Sequence, residues 1–411
     1  MEVGYVSAIT DESLGVGEED LVASRVNRFL EGFPPSEVAA DEFLGARFDA
    51  GLAWVYFPEG HGGLGWPRRL QSLVDGCFDR AGAPDLRVAN PIGYGMAAPT
   101  IMTLGSEDQR RRYLRPLFTT EDVWCQLFSE PGAGSDVASL ATRAVLDGDE
   151  WVVNGQKVWT TLAHVARYGM LLARTNPGVP KHSGLTYFVV DMQAPGVDVR
   201  PLRQMTGDAE FNEVYLTDVR IPDRERLGEV GAGWRGAIVT LMNERVAGGS
   251  GGRSGPLDEV LESWKVCPPH ARTTVMTDRL VKLWVETQVL RMTGRRAAAL
   301  AQAGTPGPEG SIGKLHTSEL NKQVGNFCVD LVGAEAMLYD SYEMRRPDVA
   351  GQLGGTPQRL FLRSRANSIE AGSSEIMRNI LAERVLGLPS EPRVDREQPW
   401  SSVPHNPTGL G

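Results

Sequence analysis

The hydrophobic pattern of this sequence predicts an α+β multidomain chain: an N-terminal helical domain, a central antiparallel β domain and a C-terminal helical bundle. Apolar residues recur at helical spacing before residue 122 and again after residue 233. Between them lie short runs rich in β-branched and aromatic residues, cut by Pro, Gly and Asp. A chain of 411 residues is also too long for one ordinary core. The expected boundaries are 1–122, 123–232 and 233–390, with a tail over 391–411.

Each element has its own signal. Glu18–Glu31 sets Leu21, Val22, Val26, Phe29 and Leu30 at helical spacing, and Gly32 with Pro34-Pro35 stops it. Phe57–Gly65 is a loop by composition, while Arg68–Ala81 and Glu107–Leu117 read as helices. Ala141–Leu146 and Trp151–Thr161 read as two strands around Asp147-Gly148-Asp149. Further β runs are Tyr168–Ala173, Leu185–Val190, Val197–Leu202 and Phe211–Val219. The helical period returns at Trp234–Ala247, Met276–Ala303, Gly313–Leu338 and Glu375–Leu386. The tail after Pro389, rich in Pro, Ser and charge, reads as loosely ordered.

Composition narrows the function. With 41% hydrophobic and 23% charged residues this is a globular composition, and no apolar run approaches the ~18 residues of a membrane span. The acidic N-terminus does not read as a signal peptide. A net charge of −10 argues against nucleic acid or an anionic membrane as partner. The four cysteines are scattered and the six histidines lack ligand spacing, so no metal site is expected and a reducing cytoplasm fits.

Five motifs stand in one order. They are Phe57–Gly65; Gly105–Gln109 with Arg112-Tyr113-Leu114; Phe128-Ser129-Glu130-Pro131-Gly132-Ala133-Gly134-Ser135-Asp136; Asn154–Thr161; and Ala371-Gly372-Ser373-Ser374-Glu375-Ile376-Met377-Arg378. Together they resemble the signatures of the acyl-CoA dehydrogenase family over nearly the whole chain. The resemblance implies FAD as cofactor and α,β-dehydrogenation of an acyl thioester. An isoalloxazine ring needs a flat apolar surface and donors at its polar edge, which Trp159, Thr161 and Ser129 offer. The resemblance places Phe128, Ser129, Gly134, Ser135, Trp159 and Thr161 at the cofactor, and Ser135 and Arg245 on the substrate side.

Taking an α-proton from a thioester requires a carboxylate in a water-poor pocket, where its pKa rises toward working pH. Family members carry this glutamate at one of two places. The position before the C-terminal Gly-Ser-Ser is Ala371 here, which cannot act as a base. The other is the Glu of a Glu-Arg pair on the first helix of the C-terminal domain, as in isovaleryl- and long-chain-type members; here it is Glu244-Arg245. Glu244 follows an apolar stripe through Ala237, Ile238 and Leu241, so it either serves as the base or pairs with an arginine. Glu370 is the second candidate. With Glu244 as base, the Ala371 N–H is the implied donor to the thioester carbonyl.

The family's Arg-x-x-Phe-Gly motif, which reaches a neighbouring subunit's FAD, is missing, and Leu331-Val332-Gly333-Ala334 reduces the later Gly-Gly-x-Gly element. These gaps are similar to bacterial members that work as α2β2 heterotetramers on bulky, sterol-derived acyl-CoAs. A homo-oligomer, dimer or tetramer, and such a heterotetramer both stay open. Electron-transfer flavoprotein is the implied acceptor. The competing readings are a half-site subunit, an oxidase or monooxygenase on the same fold, and a serine hydrolase using Ser250 in Gly248–Gly252. Gly231–Gly236 fits G-x-G-x-x-G but lacks a preceding buried strand and a βαβ continuation.

Overall fold

A computed structural model describes residues 17–85, 89–247, 256–302, 309–349, 355–392 and 395–404. The chain forms two compact units, Met1–Asp85 with Leu114–Glu121, and Leu86–Tyr113 with Asp122–Gly411.

The first unit holds α1 (Glu18–Gly32), α2 (Ala40–Asp49) and α3 (Gln71–Arg80). Phe29, Phe43 and Phe78 meet edge to face, with centroids 5.5 to 5.9 Å apart. Arg47 is buried with them, 3.9 Å over the Phe78 ring and 2.9 Å from Asp75, so its charge is matched on both sides.

The second unit begins with a π-helical turn, Gly93–Ala97, that runs into α4 (Ala98–Leu104); α5 (Glu107–Phe118) follows and spans the division between the units. Seven strands come next: β1 (Trp124–Leu127), β2 (Arg143–Asp147), β3 (Glu150–Thr161), β4 (Tyr168–Arg174), β5 (Leu185–Asp191), β6 (Val197–Pro201) and β7 (Phe211–Pro222). The sheet order is β1-β4-β2-β3-β7-β6, with β5 pairing β4. The sheet is mainly antiparallel, as expected, with a parallel exception. Four strand pairs are antiparallel, but β1 runs parallel to β4, and β2 touches β4 in parallel at Arg143 and Arg174. The β2–β3 hairpin separates β1 from β4 in sequence and acts as a crossover, which lets the two run the same way. Every residue of β4 is buried, as a strand covered on both faces must be, whereas β7 alternates over its first six residues.

Among the described residues six α-helices complete the unit: α6 (Gly233–Ala247), α7 (Pro256–Val266), α8 (Thr274–Gln302), α9 (Glu309–Val332), α10 (Pro357–Ser364) and α11 (Ser374–Arg384). Val260 of α7, Leu283 of α8 and Leu320, Val324, Phe327 and Leu331 of α9 share one core, with Leu360 of α10 packed against it. Helix α10 has only eight residues and escapes a periodicity reading; Thr356 caps it, accepting from Arg359 N, and Pro357 opens it.

The tail is also corrected. Residues 395–404 are docked on the β region rather than loose. Trp400 lies 4.4 Å over the Arg174 guanidinium and donates through Nε1 to Ser139 O at 3.2 Å. Trp400 N and Ser401 N donate to Val179 O and Pro177 O, each at 2.9 Å. Asp395 shares Lys181 with Asp136, at 2.7 and 2.8 Å. One large aromatic over a buried cation anchors a segment whose average composition looks disordered.

Candidate active site

Strand β3 carries the first group of site residues. Its register against β7 slips between Lys157 and Thr160. Trp159 falls in that bulge with a left-handed φ of 59°, a conformation costing a non-glycine residue about 1–2 kcal/mol. The indole is 57% exposed and only its flank is packed, edge-on to Phe211 at 5.8 Å. Thr161 pairs with Phe211 across the strands and is half-buried. The Thr160 hydroxyl is buried with no partner among the described residues.

The Phe128–Asp136 segment lies beside this strand, because Val158 N donates to Ser129 O at 2.9 Å. Its footing is a fully buried ion pair that reading the motifs for ligand contacts missed. Lys157 Nζ reaches Glu130 Oε1 at 2.8 Å, Phe128 O at 3.1 Å and Leu172 O at 2.9 Å. Glu130 also accepts from Ala141 N and Thr142 N, at 2.7 and 2.9 Å. Burial opposes its charge, but Lys157 and these donors outweigh it and hold the carboxyl below the usual carboxylate range. Burial also lowers the Lys157 pKa despite Glu130. Both letters stand inside the quoted motifs; an acid and a base in adjoining β segments is the signal that could have found them. Gly134 and Ser135 are exposed beyond this footing, and a Cβ added at Gly134 would meet nothing within 4 Å.

Helix α6 corrects the expected stripe. The buried row is Gly233, Gly236, Ala237 and Thr240; Ile238 is exposed and Leu241 half-buried. Gly233 and Gly236 are small because a Cβ would strike the Thr186 backbone and the Tyr187 ring, both at 2.7 Å, so the G-x-G-x-x-G pattern is packing. Position 244 follows Thr240 by four residues along α6. The side chains of Glu244 and Arg245 lie outside the described residues, as do Gly248–Gly252 with Ser250.

The C-terminal motif sits after α10. Glu370 is gripped by Arg363 in a two-point ion pair, Nη1–Oε1 3.0 Å and Nη2–Oε2 3.1 Å, and by Asn367 Nδ2 at 2.6 Å. Ala371 is exposed, with φ 53°, and its N–H has no partner among the described residues. Gly372 follows at φ 88°, where a Cβ would come within 2.7 Å of Met377 Cε, so only glycine turns the chain there. Ser373 then caps α11, accepting from Ile376 N.

The residues present suit an aromatic dinucleotide. An exposed indole held in strained backbone, a buried hydroxyl lacking a partner, and an open-sided glycine–serine loop occur on neighbouring segments. Two grooves of about 470 Å³ in the first unit include none of the candidate catalytic or cofactor residues. Among the described residues no His, Cys, Asp and Glu cluster could hold a metal ion, and no helix is long and apolar enough to cross a membrane.

Comparison with known proteins gives the class: an oxidoreductase acting on CH–CH bonds. The chain belongs to the acyl-CoA dehydrogenase family, matching its N-terminal domain over residues 19–121, its middle domain over 125–219 and its C-terminal domain over 231–386. It is 38% identical over 344 residues to acyl-CoA dehydrogenase IpdE1 of Mycobacterium tuberculosis, covering 83% of this chain and 86% of that protein. It is 40% identical over 346 residues to acyl-CoA dehydrogenase FadE34 of the same organism, covering 84% of this chain but 46% of that longer protein. The solved ChsE4-ChsE5 complex from M. tuberculosis is similar at TM-score 0.69 and 27% identity, over 93% of this chain and 100% of the matched chain.

Proposed function

We propose that this chain converts an acyl-CoA into the trans-2-enoyl-CoA, with Glu244 taking the α-proton and the β-hydride leaving to FAD. The observation that carries the choice of base is the state of the rival. The Glu370 carboxylate is held at both oxygens by Arg363 and Asn367, which leaves the glutamate of the Glu244-Arg245 pair on α6 as the candidate. An α-proton base works where water is excluded and its pKa rises toward working pH, and Glu244 is the residue proposed for that task.

FAD, when bound, supplies the hydride acceptor. Trp159 would offer the flavin its flat apolar surface, with Phe128 beside it, Thr161 and Ser129 would donate at its polar edge, and Gly134 and Ser135 would admit its phosphates or the pantetheine. The family resemblance assigns Arg245 to the substrate. The unpartnered Ala371 N–H donates to the thioester carbonyl, where negative charge develops as the proton leaves. Electron-transfer flavoprotein is the onward acceptor.

A second reading, a subunit that completes its site only with a non-identical partner, is favoured by two comparisons. FadE34 carries the matched region in under half its length, and ChsE4-ChsE5 is a complex of two named chains.

Anaerobic mixing with a panel of acyl-CoAs, from straight to bulky ring-bearing chains, tests both. Bleaching of flavin absorbance by wild type and not by Glu244→Gln is the expected result. Equal bleaching by the variant would move the base elsewhere. A colourless chain that takes up flavin only with a partner would favour the second reading.

A further inference from the structure

We propose that Arg363 and Glu370 are positioning residues, an ionic brace that fixes the Ala371 N–H relative to the strand carrying Trp159. The inference rests on the dehydrogenase reading and assigns Glu370 a task other than proton abstraction.

The brace starts at the entrance to β7. Asp208 and Glu210, two residues apart and both buried, face α10, whose Arg359 and Arg363 stand one turn apart. Arg359 binds Asp208 Oδ2 through Nε at 3.0 Å and Nη2 at 2.6 Å. Arg363 Nε lies 3.6 Å from Glu210 Oε1, and its two Nη atoms hold Glu370. Burial would lower the Arg363 pKa, but Glu370 and Glu210 together hold it above its ordinary value, so the charge stays in place.

Each end of the brace meets a different part of the site. At one end Glu370 is followed directly by Ala371, whose left-handed φ persists only if its surroundings fix it. Asn321 Nδ2 supports Asn367 Oδ1 at 3.1 Å, and Asn367 supports Glu370, so the turn is held from α9 as well. At the other end the Arg363 guanidinium lies 5.8 Å over Phe211, whose ring flanks Trp159. Glu210 O also accepts from Leu162 N at 2.9 Å, tying the brace to the end of β3. A carbonyl donor works only within a few tenths of an ångström of its place, so a loose Glu370 would misplace it relative to the flavin side.

The test uses the purified holoenzyme with Glu370→Gln and Arg363→Lys. The probe is the 3-thia analogue of the acyl-CoA that bleaches wild type fastest; it ionises at Cα in the site and shows a long-wavelength band. Both variants are expected to keep their flavin and KM, to lose roughly tenfold in kcat, and to need higher pH for that band. A kcat and band midpoint equal to wild type in both variants would overturn the brace. So would complete loss of α-proton exchange in Glu370→Gln with retention in Glu244→Gln, since Glu370 would then be the base. If Arg363→Lys fails to fold, Glu370→Gln alone decides. A wild type that bleaches with no acyl-CoA sinks the dehydrogenase reading first, which separates the two failures.

Discussion

Lys157 of β3 and Glu130 of the segment after β1 meet with all three ammonium hydrogens matched, whereas Asp208 and Glu210 reach from the approach to β7 to arginines on a helix. The first cluster is sealed: Lys157 is 0% exposed. The second grades outward, from Asp208 and Glu210 through Arg363 to the part-exposed Glu370, with Arg345 more than half exposed on its flank. A sealed pair can only hold the Phe128–Asp136 segment still. A graded one joins two elements and can hand position from one to the other. Buried charge therefore serves two ends here, rigidity under the cofactor loop and register between strand and helix.

Substitution within the sealed pair should cost the most. Lys157→Met leaves Glu130 buried without its cation and should cost about 3–5 kcal/mol in urea unfolding. The double variant with Glu130→Gln should recover part of that loss; no recovery would mean that the pair is not a closed unit. Asp208→Asn weakens a partly accessible cluster and should cost less, about 1–3 kcal/mol. Added salt should narrow the gap between wild type and Asp208→Asn, through the exposed Arg345, and leave the effect of Lys157→Met unchanged.

Acid provides a third test. The folded pKa of Glu130 is depressed, so its contribution to stability is present above its ordinary value of 4.5 and is lost as pH falls through the lower folded value. Urea midpoints should drop across that window in wild type. In the double variant at residues 130 and 157 the drop should be shallower, and an unchanged slope would assign it to other carboxylates. The smallest effect belongs to the tail: Trp400→Ala should cost about 1 kcal/mol and speed amide exchange in residues 177–181.

Much of the molecule was legible from the sequence. Helix α1, the β2–β3 hairpin and the strands from β4 to β7 follow from period and turn residues within two or three positions. Family membership follows from motif order. Strand β1 and helix α10 are too short for periodicity, and the parallel β1–β4 contact depends on a crossover that no local pattern encodes. The buried row of α6 was misread because its small residues, Gly233, Gly236 and Ala237, score as weakly apolar yet pack closest. The Arg363–Glu370 pair joins residues seven apart across a helix end, and the Lys157–Glu130 pair residues 27 apart; neither spacing is a sequence rule.

Trp400 donates to a carbonyl 261 residues earlier in the chain. During synthesis the β2–β3 hairpin can close on itself at once, but the Arg174 guanidinium must wait for almost the whole second unit to be made before its aromatic cover arrives. Contacts of such long reach form late. The site loop after Ser135 is thus completed from both ends of the biosynthetic clock, its footing laid early and its outer clasp among the last contacts to close.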